Sequence, residues 1–222
     1  MKRKLLAITI GQSPRNDILF EVEKYMTNFE IIQKGALDGL TKKYIEENLY
    51  IESDSYVLES KLNNGDHVSF AEEKILPLIQ KILDKNDNEV DQVLMLCTGV
   101  FNHKFRTRHN IIYPQKIIHP IVKAIIGNGN LVVLNPNKNQ LKQSEEKWSQ
   151  VVENVKCSFV SPYANDENEF KNAVKFINEN SADLVLLDCM GYNEEMKNYF
   201  IKQTNKPVIL SNALVGKVLS EL

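Results

Sequence analysis

Cysteine is scarce in this chain. Three thiols in 222 residues, odd in number and set far apart at Cys97, Cys157 and Cys189, make neither a disulfide framework nor a zinc motif, and a reducing cytoplasm is the setting expected for them. An excess of charge of one sign is lacking too. The formal net charge of −2 exerts no global pull toward nucleic acid or a membrane surface. The one basic cluster, His103-Lys104-Phe105-Arg106-Thr107-Arg108-His109, carries a single aromatic residue and no recognised motif, so no nucleic-acid partner is expected. No apolar run approaches membrane-spanning length, and Leu5 to Ile10 is too short for a signal-peptide core. The histidines at 67, 103, 109 and 119 match no common metal-site spacing. Gly127-Asn128-Gly129-Asn130 lacks the third glycine of a nucleotide fingerprint and precedes a strand, which makes it a turn.

What the chain does contain is one pattern stated twice. Val90 to Leu96 is an apolar run closed by Cys97-Thr98-Gly99, and Ala182 to Asp188 is another closed by Cys189-Met190-Gly191. Both runs are short, rich in Val and Leu and flanked by polar residues, as buried strands of a parallel sheet are. Each thiol then falls at the carboxyl end of a strand, the edge at which open α/β sheets bind ligands. Cys157 sits inside a strand and reads as a small core residue.

Around these runs β and α patterns alternate almost without a break, which predicts an α/β fold with parallel sheets. Leu5 to Ile10 is a first strand, and Gly11 to Arg15 leads into a helix with Ser13 as N-cap and Pro14 at the first helical position. That places Gly11, Gln12, Ser13 and Arg15 where helix N–H groups attract a carboxylate or phosphate. Tyr56-Val57-Leu58 and His67-Val68 flank Asn63-Asn64-Gly65-Asp66 as a β-hairpin, expected at a sheet edge. Ser69 and Glu72 form a capping box for a helix that Pro77 should kink or shorten. Residues 98–114 show little periodicity, and an irregular stretch of that length reads as a functional lid. A later helix is capped at Asn165 or Asp166. The lone Trp148 belongs to the core, and Ser211-Asn212 caps the closing helix.

Two thiols facing one carbon from opposite sides can racemise it, one taking a proton while the other delivers one, with no cofactor. Glycine two residues after each sulfur lets backbone amides approach the sulfur and the substrate oxygens. Arg15, Arg106 and Arg108 are candidates to hold a substrate carboxylate. A single working thiol and a non-catalytic carboxylate-binding module remain as alternatives.

The two Cys-x-Gly segments, the opening Thr9-Ile10-Gly11-Gln12-Ser13-Pro14-Arg15 and the closing Leu210-Ser211-Asn212-Ala213-Leu214 resemble the AroM family, a relative of the aspartate/glutamate/hydantoin racemase superfamily. The resemblance spans essentially the whole chain. It implies two pseudo-symmetric α/β lobes with a cleft between them, no cofactor or metal, a homodimer, and a context in aromatic amino acid metabolism. It also implies Cys97 and Cys189 as the catalytic pair, with Gly11, Gln12, Ser13, Arg15, Thr98, Gly99, Met190, Gly191 and Asn212 around a small carboxylate substrate. Superfamily racemases carry Asn-Thr after the first thiol and Thr after the second, where this chain has Thr98-Gly99 and Met190-Gly191. The expected boundaries are a first lobe over 1–118, with the helix 211–222 packed on it, and a second lobe over 119–210. A decarboxylase or cis-trans isomerase of the same superfamily is the single-thiol alternative.

Overall fold

A computed structural model describes residues 2–164 and 166–222. Contacts divide the chain into two units, Met1–Asn16 with Met26–Pro114, and Asp17–Tyr25 with Gln115–Leu222.

In the first unit β1 (Arg3–Thr9), β2 (Phe29–Gly35), β5 (Gln92–Met95) and β6 (Ile111–Ile112) form a parallel sheet in the order β2-β1-β5-β6. Ile75, Ile79 and Leu83 of α3 (Glu72–Asn86) are fully buried in one core with Leu6, Ile8, Val93 and Met95. Pro77 lies inside α3, which runs unbroken for 15 residues. The expected hairpin is present as β3 (Val57–Lys61) and β4 (His67–Ala71), with Gly65 at φ +94° in its turn. It is a separate two-stranded sheet rather than an edge of the main one. Because Val57 pairs with Ala71, Ser69 is a strand residue bonded to Glu59, and the capping box does not form: Ala71 occupies the N-cap of α3. The remaining helix here, α2 (Lys42–Asn48), is capped by Thr41.

The second unit holds α1 (Asn16–Glu23) from Asp17 onward, α4 (Pro114–Ile126) from Gln115 onward, β7 (Leu131–Asn135), α5 (Leu141–Ser149), β8 (Val155–Phe159), α6 (Glu167–Glu179), β9 (Leu184–Leu187), α7 (Glu194–Thr204), β10 (Val208–Leu210) and α8 (Ser211–Leu219). Its sheet, also parallel, runs β10-β9-β7-β8. Asp166 caps α6, while Asn165 lies outside the described residues. Helix α8, expected on the first lobe, falls in this unit. There Gly216 lies close against α1, since a Cβ on it would stand 3.0 Å from both the Val22 carbonyl oxygen and the Tyr25 ring.

Numbered within its own unit, each main sheet has the strand order 2-1-3-4, and the two registers superpose. Leu6 pairs with Val93 as Val132 pairs with Val185. The Leu96 N–H donates to Ile8 O at 2.8 Å as the Asp188 N–H donates to Leu134 O at 3.0 Å. Even the strand starts agree: Asp91 Oδ2 accepts the Lys4 N–H at 2.7 Å, and Asp183 Oδ2 accepts the Asn130 N–H at 2.8 Å. Cys97 and Cys189 are equivalent positions of this repeat.

Candidate active site

Between strands 1 and 3 of a 2-1-3-4 sheet the direction of chain progression reverses, and the crevice outside the carboxyl ends of those strands is where open α/β sheets place ligands. Each thiol follows strand 3 at that point. Cys97 is buried and Cys189 half-buried, and the Gly99 and Gly191 amides donate to their respective sulfurs at 3.3 and 3.4 Å. All three cysteines stand as thiols. Cys157 is core, as expected, bonded to Ser144 Oγ and pushed up to about 11 by burial.

In the first unit the loop after β1 is spoken for by groups of the same chain. The Asp38 carboxylate accepts Ser13 N–H and Oγ–H, both at 2.7 Å, and the Gly35 N–H at 2.8 Å. An internal anion therefore occupies the donors expected to receive a substrate, and α1 begins only at Asn16, so Ser13 and Pro14 are not its cap. Gln12 donates to Leu40 O at 2.8 Å and accepts the Asn63 N–H at 2.9 Å. A side chain at Gly11 would have to displace Ser60, whose Oγ lies 2.0 Å from where the Cβ would be. Arg15 is buried, its guanidinium donating to Ser60 Oγ at 3.3 Å and its N–H to Gln33 Oε1 at 2.7 Å. Thr98 is buried beside Cys97.

Residues 106–109 are strapped to α3 and its C-terminal end. Gln80 exchanges two hydrogen bonds with the Arg106 backbone, each 2.9 Å, and Asp87 accepts from Thr107, from the Arg108 N–H and Nε, and lies near His109. These bonds hold the Asp87 carboxyl below the usual range, the Thr107 hydroxyl most of all. Arg106 sits 3.8 Å from Asp84. The basic cluster is thus attached to α3 and the residues after it through Arg106, Thr107 and Arg108. The adjoining groove, lined by Leu76, Gln80, His103 and Arg106 among others, includes Arg106, one of the candidate carboxylate-binding arginines, but neither Cys97 nor Cys189.

In the second unit the turn after β9 is gripped from beneath. Asn212 is fully buried and donates to Met190 O at 2.9 Å and Tyr192 O at 2.6 Å, leaving its own Oδ1 without a partner. Ser211 donates to Leu187 O at 2.7 Å instead of capping α8, whose N-cap is Leu210. Asp188, one residue before the thiol, accepts from Lys147 Nζ and from Trp148 Nε1 at 2.8 Å, all but hidden from solvent. The His119 ring meets Trp148 edge-on and is held near pH 4 by burial and by the Lys147 charge, with its Nε2 buried without a partner. Tyr163 Oη lies 3.7 Å from Cys189 Sγ. Neither Tyr163 nor the Lys147–Asp188 pair stands out in the sequence, although a carboxylate ending an apolar strand run is a hint of buried pairing. Among the described residues no helix is long and apolar enough to cross a membrane, and no three His, Cys, Asp or Glu side chains gather as a metal site.

A repeated 2-1-3-4 sheet with a thiol after each third strand defines an α/β protein built of two parallel sheets. Residues 5–222 match the family described as AroM protein, and the chain belongs to that family. Solved structures with a similar fold include the allantoin racemase of Pseudomonas fluorescens (14% identity, TM-score 0.60, covering 99% of this chain and 90% of that one). They also include the aspartate racemase of Picrophilus torridus (15%, 0.59, 98% and 93%) and the glutamate racemase of Aquifex pyrophilus (12%, 0.61, 98% and 83%). No curated protein matches the sequence.

Proposed function

We propose that this protein is a cofactor-independent racemase or epimerase that moves a proton at the α-carbon of a small carboxylate, with Cys97 and Cys189 as alternating base and acid. The observation that carries the reading is the equivalence of the two thiols in the repeat: the same register, the same strand end, the same amide on sulfur. The similar fold of racemases acting on allantoin, aspartate and glutamate supports it. In the proposed step one thiolate takes the α-proton and becomes a thiol. The C–H electron pair passes into the carboxylate as an enolate, and the other thiol returns a proton to the opposite face and becomes the thiolate. Two groups are needed because a single base restores the original hand. Backbone N–H groups beside Thr98-Gly99 and Met190-Gly191 are suited to the developing enolate oxygens. Because Asp38 holds the Gly11–Ser13 loop and Asn212 the Cys189 turn, these residues shape the site in this reading, and Arg15 and Thr98 are the nearer candidates for substrate contact.

The test is proton NMR of the reduced protein in heavy water with pooled amino acids, hydroxy acids and hydantoins. Loss of one α-proton signal, abolished by Cys97→Ser and by Cys189→Ser alike, is expected. Loss abolished by only one substitution identifies single-thiol chemistry. No exchange, with a pool member still raising the melting temperature, identifies a binding protein.

A further inference from the structure

The two glycines that follow the thiols have different neighbours. Around Gly99 a Cβ would meet Leu58 Cδ2 at 3.0 Å and the Tyr56 ring at 3.6 Å. Around Gly191 it would run into a phenol, with Tyr163 Oη at 2.4 Å and Cζ at 2.7 Å. The missing side chain at 191 is therefore what admits Tyr163 to the thiol, its Oη 3.7 Å from Cys189 Sγ. The ring is carried by the segment after β8, where the Tyr163 N–H donates to Ser161 Oγ at 3.2 Å and the Ser161 N–H donates to Glu169 at 2.8 Å.

We infer that Tyr163 is a positioning residue that donates its phenolic hydrogen bond to Cys189 and stabilises the thiolate there. The other groups around this sulfur leave that task to a donor. Asp188 is turned toward Lys147 and Trp148. Glu169 is occupied by Ser161, and the Tyr192 hydroxyl is committed to Val160 O at 2.8 Å. Asn212 reaches the carbonyls of the turn rather than the sulfur. The Asp188 carboxylate, one residue before, opposes a negative sulfur, and the Tyr163 O–H and the Gly191 N–H favour it. The inference rests on the proton-transfer reading for its catalytic meaning, since a two-thiol racemase begins each turnover with one thiolate in place.

The experiment is site-resolved alkylation of the intact, reduced protein by iodoacetamide across a pH series, quantified at Cys189 by mass spectrometry. Tyr163→Phe is expected to move the Cys189 profile up by about one pH unit. At neutral pH the rate should fall only about threefold, because a more basic thiolate is also more nucleophilic. Gly191→Ala, which displaces the phenol while keeping it in the chain, should shift the profile the same way. The second variant also covers a failure of the first to fold. An unchanged Cys189 profile in either folded variant overturns the inference, as does an equal shift at Cys97. Alkylation needs no substrate, so a shifted profile in a protein that exchanges no α-proton retains the hydrogen bond and rejects the racemase reading instead.

Discussion

Asn212 holds the Met190 carbonyl at 2.9 Å, and that bond sets where the next N–H points. The C=O and N–H of a trans peptide lie in one plane on opposite sides. With the Met190 oxygen drawn toward Asn212, the Gly191 N–H is turned the other way, onto Cys189 Sγ at 3.4 Å.

Asn212→Leu removes both donors and strands two carbonyls in the interior. Leaving a buried polar group unpaired costs about 1–3 kcal/mol, so a loss of about 2–4 kcal/mol in urea unfolding is expected, together with slower alkylation of Cys189. Unchanged alkylation in a folded Asn212→Leu protein would separate the turn from the thiol.

The Lys147–Asp188 pair is buried on both sides, at 8% and 2% side-chain exposure. Lys147→Met strands the carboxylate, and breaking such a pair costs about 3–5 kcal/mol. The double variant Lys147→Met/Asp188→Asn keeps an acceptor for Trp148 and should recover much of the loss. A double variant no better than the single one would show that packing, not charge, is at stake.

Two half-buried groups give opposite pH dependences. His119 is depressed to about 4, chiefly by burial, from an ordinary value near 6.5. Its contribution is present above the unfolded value and is lost as pH falls from about 6.5 through about 4. Glu72 is raised to about 7, chiefly by burial, with the Glu73 charge adding to it. Its contribution is complete below its ordinary value of 4.5 and is lost as pH rises through about 7. Between pH 4.5 and 6.5 the two oppose each other. Melting of His119→Phe across that window should show stability falling with rising pH, and melting of Glu72→Gln should show it rising. Parallel curves for the two variants would defeat this assignment.

Asp38→Ala deprives Ser13 and Gly35 of their acceptor. A loss of about 1–3 kcal/mol is expected, with faster amide exchange confined to residues 11–15 and 35–38. Asp87→Ala should loosen a different stretch, raising exchange at Arg108 and His109 while leaving the β1 loop unchanged.

The strands and their thiols were legible in the sequence because the signal is local: Val93 to Met95 and Val185 to Leu187 are apolar runs, and Cys-x-Gly repeats beside them. What was not legible is long-range pairing. Asp38 lies 25 residues from Ser13 and Lys147 lies 41 from Asp188, and nothing in either local pattern announces the partner. Spacing alone predicts Ser13 and Ser69 as caps, yet Asp38 and Glu59 accept from their hydroxyls. Strand β6 is two residues long, too short to leave a period. The candidate site residues split along the same line: Cys97 and Cys189 can be found by recurrence, whereas Tyr163 reaches Cys189 only through the shape of the turn after β8.

The close approach of Gly216 to Val22 and Tyr25 also has a temporal side. During synthesis α1 emerges among the earliest segments of the chain and α8 long afterwards, so α1 must wait without its seat while the whole first unit is made. Closing so long a loop carries an entropic cost that contacts between neighbouring segments do not. A side chain at 216 would thus hinder the docking of an early helix onto a late one.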